Sequence, residues 1–182
     1  MDNGASSYRR FLDGDDSAFD DIMNQLFHSL VFFINRYVHD VHAAEDIAID
    51  AFSDLIVHKH RYNFKVTLKT YLFMIGRSRA VDYIRRQRKI EFVGLSSAYD
   101  LPDDKSLEET VLSNERDRRV NAAIKKLPQD MRAVVHLVYF EKRTYGETAK
   151  IVKKSRKQVD NLLYRAKKEL GAILGKDGEL LL

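Results

Sequence analysis

The chain has 182 residues and no cysteine, which allows one large domain or two small ones and excludes a disulfide framework, a thiolate metal site and a cysteine nucleophile. It contains only 8 glycines and 2 prolines, well below the usual share, and this shortage favours long helices over a β-sandwich or a barrel. The net charge is +4 and the longest apolar run has five residues, whereas a membrane-spanning helix needs about 20, so we expect no membrane insertion.

The first half of the chain is predicted to form three long helices. Apolar residues recur at spacings of three and four over residues 7–38, 43–60 and 68–89, and each pattern gives one apolar face of a helix. Residues 61–67, which include Asn63 and other polar side chains, are predicted to form a loop.

A polar segment that contains a glycine and a proline follows these helices. This segment, residues 92–106, has the composition of a linker. The remainder of the chain has helical patterning again, and Pro128 suits the first turn of a helix. We therefore expect an all-α fold of two helical domains, residues 7–91 and 112–174, joined by a flexible linker over residues 92–111.

Two capping boxes predict a helix-turn-helix in the second domain. In Thr144–Glu147 and in Ser155–Gln158, a hydroxyl residue is followed three residues later by an acid or an amide that can accept a hydrogen bond from the backbone N–H of the first residue. They mark the starts of a short helix, 144–152, and of a longer one, about 156–173. A three-residue turn between a short and a longer helix is typical of the helix-turn-helix.

The longer of these helices has an apolar stripe and an opposite polar face. Arginine, lysine, asparagine and glutamine are the side chains that bind base edges and phosphates in duplex DNA. The alternative is the solvated face of an ordinary amphipathic helix, but the capping boxes, the short turn and the basic surroundings favour DNA. The predicted duplex-binding residues are Arg156, Lys157, Gln158, Asn161, Tyr164, Arg165 and Lys168.

Charge is distributed unevenly along the chain. The net charge is −7 over residues 1–60, +7 over 61–91, −3 over 92–120 and +7 over 121–182. Clustered basic charge is the electrostatic signature of nucleic-acid binding. The acidic N-terminal segment would repel DNA, so it faces either a different partner or water.

The basic segment of the first domain includes a second candidate DNA-binding surface. Cationic and polar residues lie at helical spacing on helix 68–89, and an aromatic and several polar groups precede them. Such a mixture suits single-stranded or melted DNA, whose bases can stack or flip, although a charged helix surface explains the arginines equally well. The predicted strand-binding residues are Asn63, Lys65, Thr67, Tyr71, Arg77, Ser78, Arg85 and Arg88.

Four segments of the chain resemble those of extracytoplasmic-function sigma factors, the small two-domain class of bacterial RNA polymerase initiation factors. Residues 44–52 resemble the motif A-E-D-L-x-Q-E/D-x-F, and residues 71–86 resemble W-L-x-x-I-A-x-N…D-x-x-R-R. Leu127-Pro128 and the helix-turn-helix resemble the family's domain that recognises the −35 element. The segments follow the family's order and spacing, and the resemblance extends over residues 7–174.

This resemblance implies a function and partners. A sigma factor binds core RNA polymerase and directs promoter-specific initiation by recognising the −35 and −10 elements and helping to melt the DNA. The implied partners are the β′ clamp helices, the β flap, promoter DNA and an anti-sigma factor. The implied location is the cytoplasm, in keeping with a start that lacks the basic and apolar regions of a signal peptide. The residues implied to bind polymerase are Glu45, Asp46, Asp50 and Phe52.

Two departures from the family's pattern bear on the structure. Ile49 stands where the family often has glutamine, on the polymerase-facing segment. Lys153 stands where a turn glycine is common, and a non-glycine residue at positive φ is strained, so we expect the turn to differ.

Two other functions remain as alternatives. His39, His42, Glu45 and Asp46 could in principle ligate a divalent ion, but residues 39–42 are predicted to join two helices, where polar side chains cap and face water. No glycine-rich phosphate loop or G-x-S-x-G motif occurs, and we predict no enzymatic activity and no cofactor. The second alternative is a helix-turn-helix regulator that does not act as a polymerase subunit, for which the basic helix 68–89 has no obvious use.

Overall fold

A computed structural model of the chain describes residues 4–92 and 115–175. The chain divides into two compact units, residues 1–102 and 103–182, and each is described by itself. Within the described residues, all regular structure is helical. The predicted linker, residues 92–111, lies outside the described residues except for its first residue, Phe92, which ends a helix.

Within residues 4–92, the first unit has four α-helices. They are α1 (Ala5–Leu12), α2 (Ser17–Val38), α3 (Val41–Val57) and α4 (Leu68–Phe92), and a short 3₁₀ turn, Lys59–Arg61, follows α3. Helices are confirmed in all three predicted regions, but their boundaries differ.

The predicted continuous helix over residues 7–38 is wrong, because the chain turns between α1 and α2. Gly14 adopts φ 99°, a left-handed conformation that glycine takes without steric cost. The Asp15 carboxylate then accepts hydrogen bonds from the Ser17 hydroxyl at 2.6 Å and from Arg10 Nε at 2.9 Å. These local bonds favour a tight turn over continuation of the helix.

Residues 39–40 form the predicted junction between α2 and α3. His39 ends α2 in a left-handed conformation, φ 58°, and Asp40 caps α3 by accepting a hydrogen bond from the Ala43 N–H at 3.1 Å. The side chain of Asp40 therefore caps a helix end, as the sequence predicts for polar residues of this junction.

The core of the first unit is formed largely by α2, α3 and α4. Phe33 of α2 stacks on Phe73 of α4 with ring centroids 5.0 Å apart. Gly76 lets the same two helices approach closely, because a Cβ atom at this position would lie 2.8 Å from Leu30 Cδ1. Helix α4 is thereby held with its basic residues at fixed positions on the unit's surface.

The second unit contains the predicted helix-turn-helix. In residues 115–175 its helices are α5 (Glu115–Lys125), α6 (Gln129–Val135), which continues into a π-helical turn (His136–Phe140), α7 (Tyr145–Val152) and α8 (Arg156–Leu174). The sequence predicts Pro128 in the first turn of a helix, and this position is wrong by one residue. Pro128 immediately precedes α6, with an extended ψ of 144°.

Most of the predicted apolar stripe of α8 is in the core of the second unit. The apolar residues of the stripe differ in burial: Val159, Leu163, Ala166 and Leu170 are buried, Leu162 is half-buried, and Ile173 is 42% exposed. Ile173 is in the last turn of α8. His136 is buried beside Glu141, with Nε2 3.3 Å from Oε1, and belongs to the core of the second unit.

Candidate nucleic-acid interface

Both predicted capping boxes are present in the helix-turn-helix. The Thr144 hydroxyl accepts from the Glu147 N–H at 3.2 Å, and Glu147 Oε2 accepts from the Thr144 N–H at 3.0 Å. The Ser155 hydroxyl accepts from the Gln158 N–H at 3.2 Å, and Gln158 Oε1 accepts from the Ser155 N–H at 2.8 Å. Each pair satisfies two donors that a helix start would otherwise leave unpaired, so the ends of α7 and α8 are fixed locally.

The turn between α7 and α8 forms without a glycine. Lys153 adopts φ 53° and ψ 48°, a left-handed conformation that costs a non-glycine residue about 1–2 kcal/mol. The neighbouring Lys154 Nζ lies 2.9 Å from Asp130 Oδ2 at the start of α6, which ties the turn to the rest of the unit. The expected difference in turn geometry is therefore not seen, because lysine takes the conformation that glycine would take.

The predicted duplex-binding residues lie on the exposed side of α8. Tyr164, at the middle of this face, is 72% exposed. Gln158 uses Oε1 in the capping box, which leaves its NH₂ group free to donate to a base or a phosphate. We call the set the α8 face, and all seven of its residues are exposed: Arg156, Lys157, Gln158, Asn161, Tyr164, Arg165 and Lys168.

The predicted strand-binding residues fall into two groups on the first unit. Asn63, Lys65, Thr67 and Tyr71 lie in the segment 62–67 and the first turn of α4, and we call this segment the recognition loop. Arg85 and Arg88 are exposed on the last turns of α4, with Arg85 paired to Asp82 at 3.5 Å. At 1.5 Å per residue, Arg85 lies about 25 Å along the helix from Leu68, so the two groups cannot share one base pocket.

Several residues of the recognition-loop group have structural partners. Asn63 Oδ1 accepts a hydrogen bond from the Lys65 N–H at 3.2 Å. The Thr67 hydroxyl accepts from the Thr70 N–H at 3.2 Å at the start of α4. The Tyr71 ring packs on Tyr62 at 5.1 Å and stays half-buried, so part of it is available as a stacking wall.

The middle of α4 has fewer accessible polar atoms than the sequence predicts. Arg77 and Ser78 are half-buried rather than exposed, and Arg77 Nε is buried without a hydrogen-bond partner among the described residues. Arg77 is therefore partly built into the packing of α4, and its removal would disturb more than a surface charge.

The acidic residues predicted to bind polymerase lie on the outer side of α3. Asp46 is exposed, and Glu45 is half-exposed with Oε2 3.7 Å from His42 Nδ1. The side chain of Asp50 is 63% exposed. Ile49 is 50% exposed and Ile56 is 47% exposed on the same helix, so the acidic surface also includes apolar side chains.

The prediction that Phe52 contacts the polymerase is corrected by its burial. Phe52 is 2% exposed, and its ring packs against Phe19 at 6.1 Å and Phe27 at 6.2 Å. The motif match predicts a contact at this aromatic residue, whereas the helical period places it on the inner side of α3. Its role here is to hold α3 against α2.

A residue that the sequence interpretation missed links α3 to α4. The Arg79 guanidinium lies 3.1 Å from Asp50 Oδ2 and 2.6 Å from Asp54 Oδ2, and Nε donates a further bond to Asp54 at 2.9 Å. Two aspartates four residues apart lie side by side on a helix, and this spacing in the sequence indicates that one cation could bind both. Their partner, 25 residues beyond Asp54 and 29 beyond Asp50, could be identified only once the packing of α4 was known.

Neither a metal centre nor a membrane span occurs within the described residues. No group of three or more His, Asp or Glu side chains there is placed to hold a metal ion. His42, one of the candidate ligands, has a side chain that is 93% exposed. No helix in the described ranges is long and apolar enough to cross a membrane.

Comparison with known families matches both units to one family. Residues 22–90 match the model of sigma-70 region 2, and residues 117–170 match that of sigma-70 region 4. The RNA polymerase sigma-H factor of Pseudomonas aeruginosa is 28% identical over 173 residues, which cover 88% of each chain. The extracytoplasmic-function (ECF) sigma factor SigM of Bacillus subtilis is 23% identical over 157 residues, covering 86% of this chain and 95% of SigM.

Solved structures show the same fold. The sigma factor RpoE in its complex with the anti-sigma factor NepR from Bartonella quintana superposes with a TM-score of 0.68 at 20% identity, covering 87% of this chain and 98% of that one. CnrH in complex with the cytosolic domain of CnrY gives 0.64 at 18% identity, covering 94% of both chains. With regions 2 and 4 matched in order over well more than half of its length, the chain belongs to the sigma-70 family of RNA polymerase sigma factors, in the ECF class.

Proposed function

We propose that this sigma factor divides its work among three surfaces: the acidic side of α3 binds core polymerase, the α8 face binds the −35 duplex, and the recognition loop with α4 binds the opened −10 strand. The observation that supports this division best is the α8 face, with seven polar or cationic side chains exposed on one capped helix. It follows that the chain acts with polymerase in the cytoplasm, without a cofactor and without catalytic activity of its own.

The α8 face fits the major groove in shape and chemistry. The groove is about 12 Å wide and admits one α-helix. Arg165 and Lys157 supply cations for phosphates, and Asn161 can donate to and accept from a base edge. Because the buried stripe of α8 lies on its other side, these side chains can enter the groove without loss of packing.

The recognition loop suits an unpaired strand better than a duplex. A flipped base needs polar edges and a stacking surface, and its phosphates need cations. Asn63 and Lys65 are exposed, and the half-buried Tyr71 packs on Tyr62, the first residue of the same segment. Arg85 and Arg88, at the other end of α4, are positioned to bind the backbone further along the same strand.

The α3 surface suits a basic protein partner. Asp46 and Asp50 are exposed acids, which would weaken binding to DNA and would steer association with a cationic surface. The family resemblance identifies this partner as the β′ clamp helices, and assigns the β flap to the second unit. The half-exposed Ile49 and Ile56 supply apolar contact area beside the charges.

An anti-sigma factor is a further proposed partner. The related RpoE was solved with its anti-sigma factor NepR, and CnrH with the cytosolic domain of CnrY. A helix-turn-helix regulator that does not act with polymerase is disfavoured, because the first unit matches sigma-70 region 2 rather than a ligand-sensing domain.

The proposed function is tested by run-off transcription with purified core polymerase. The template is the DNA upstream of the chain's own gene, since many such factors drive their own promoter. We expect a discrete transcript that requires both the chain and core enzyme. Absence of promoter-specific transcription, together with failure of the chain to bind core enzyme in a pull-down, would favour the regulator instead.

The duplex-binding assignment predicts a change in salt dependence. Lys157→Ala with Arg165→Ala in the full chain should weaken binding to −35 duplex and reduce the slope of log K against log salt by about 1.8, because each phosphate contact contributes about 0.9. Lys126→Ala with Lys150→Ala, at two exposed lysines outside the α8 face, is the matched control. An unchanged slope in the first double variant, measured by fluorescence anisotropy at several salt concentrations, would contradict the assignment.

A further inference from the structure

Helix α1 lies outside the residues matched to sigma-70 region 2, which begin at residue 22. None of its residues is among the predicted binding residues. Yet its one buried side chain, Tyr8, is 0% exposed and contacts the segment that leads into the recognition loop. This contact suggests a role for α1 beyond filling the core.

The Tyr8 hydroxyl fixes the start of that segment. It donates a hydrogen bond shared between the carbonyl oxygens of Leu55, at 3.0 Å, and Lys59, at 2.9 Å. These carbonyls lie in the last turn of α3 and in the 3₁₀ turn, where helix geometry leaves acceptors unpaired. Burial, together with the neighbouring Tyr71 and Tyr62, raises the pKa of Tyr8 to about 12, so the hydroxyl keeps its proton.

The Tyr8 ring continues the contact into the recognition loop. It meets the Tyr62 ring edge-on at 5.4 Å, and Tyr62 in turn packs against Phe64 at 4.6 Å and Tyr71 at 5.1 Å. The Tyr62 hydroxyl donates to the Val66 carbonyl at 2.6 Å and so spans the loop. The buried Tyr62 ring thus connects α1 to Tyr71, the residue proposed to stack on a base.

A second contact from α1 reaches a strained position of the loop. Phe64 adopts φ 59°, which is unfavourable for an aromatic residue and persists only where its surroundings hold it. The Arg9 guanidinium lies 5.0 Å above the centroid of the Phe64 ring, a distance at which a cation is attracted to the ring face. Arg9 is itself exposed, so it holds Phe64 from the solvent side.

We propose that α1 is a positioning element of the −10 recognition loop, in which Tyr8 fixes the base of the loop and Arg9 fixes Phe64 at its bend. This inference rests on the proposed function of the loop. It makes the discrimination of the −10 sequence depend on a helix that need not touch the promoter. Binding to polymerase and to the −35 duplex uses other surfaces and is independent of α1.

Two full-length variants test the inference. Tyr8→Phe removes the hydroxyl and keeps the ring, and Arg9→Ala removes the exposed cation. Arg10→Ala is the matched control, because Arg10 is adjacent but pairs with Asp15 and Asp21 rather than with the loop. Each protein is assayed with core polymerase on promoters that differ by single bases in the −10 element.

We expect the preference for the best −10 sequence to fall about three- to tenfold in Tyr8→Phe, as for the loss of one buried hydrogen bond. A smaller fall is expected in Arg9→Ala and none in Arg10→Ala. Affinity for core enzyme and for the −35 duplex should stay within twofold of wild type. A merely structural role would lower activity on all promoters alike and leave the preference unchanged, and that result would overturn the proposal.

Amide hydrogen exchange of the free chain gives a readout that does not depend on transcription. The amides of residues 62–67 should exchange faster in Tyr8→Phe and Arg9→Ala than in wild type or Arg10→Ala. Unchanged exchange in both variants would overturn the positioning role even if the chain is a working sigma factor. Faster exchange without promoter-specific transcription by the wild type would instead contradict the proposed function of the loop.

Discussion

Replacing Asp46 by lysine is expected to abolish co-purification of the chain with core RNA polymerase. Asp46 is exposed near the start of the acidic helix α3, and reversing a charge that faces a cationic partner replaces an attraction by a repulsion. Truncation of one partner of a charge pair that is buried and hydrogen-bonded in an interface costs about 2–5 kcal/mol. If Asp46 forms such a pair with the polymerase, its reversal should lower affinity at least about 30-fold. The measurement is a titration of labelled core enzyme, with circular dichroism to show that helical content is retained.

Asp50 needs a different design, because Arg79 already binds it. A lysine at position 50 would face the Arg79 guanidinium, 3.1 Å from the present carboxylate, and would weaken the contact between α3 and α4 as well as the interface. The triple variant Asp50→Arg, Asp54→Asn and Arg79→Asp reverses the charge at position 50 and keeps an ion pair between the helices. The Asp54→Asn change removes the carboxylate that now pairs with Arg79 at 2.6 Å and would repel the new aspartate. We expect it to fold and to bind core enzyme poorly.

The matched control for both reversals is Asp20→Lys, which makes the same charge change at an exposed position of α2. If Asp20→Lys binds normally and Asp46→Lys does not, net charge alone is excluded as the cause. Normal binding by Asp46→Lys and by the Asp50–Arg79 exchange would remove the acidic side of α3 from the polymerase interface.

Loss of promoter opening is the second large effect, and it is expected when Asn63 and Lys65 are both replaced by alanine. Opening costs a few kcal/mol for each unstacked base, which binding of the released strand must offset. Both side chains are exposed on the recognition loop, so their loss removes a polar edge and a cation. Arg77 is a poorer target, because its Nε is buried and its removal would also disturb α4.

The opening defect is measured by permanganate reactivity of thymines near the start site. We expect this reactivity to disappear on a duplex promoter, while closed-complex formation is largely retained. A template with a preformed bubble should restore part of the transcription, since the cost of opening is then already met. If the double variant opens duplex DNA like the wild type, the recognition loop is not the element that traps the strand.

Features set by neighbours along the chain could be predicted from the sequence alone. The all-helical fold class follows from apolar residues that recur at spacings of three and four. The capping boxes at Thr144 and Ser155 follow from side chains three residues from the groups they bond. These interactions close within one helical turn, so the helix-turn-helix and the exposed side of α8 were both predictable, and the structure confirms the helices and their caps.

Features that depend on contacts between distant segments were decided only by the tertiary structure. Phe52 belongs to a motif that suggests a partner, but the packing of α3 on α2 buries it. Arg79 joins Asp50 and Asp54 across two helices, and Tyr8 reaches carbonyls 47 and 51 residues away. The periodicity and spacing of residues in the sequence do not indicate such partners, because these depend on how the helices pack rather than on how each one forms. The sequence by itself therefore determined which helices exist and which side of α8 is polar, and packing decided which residues hold the recognition loop and the acidic side of α3 in place.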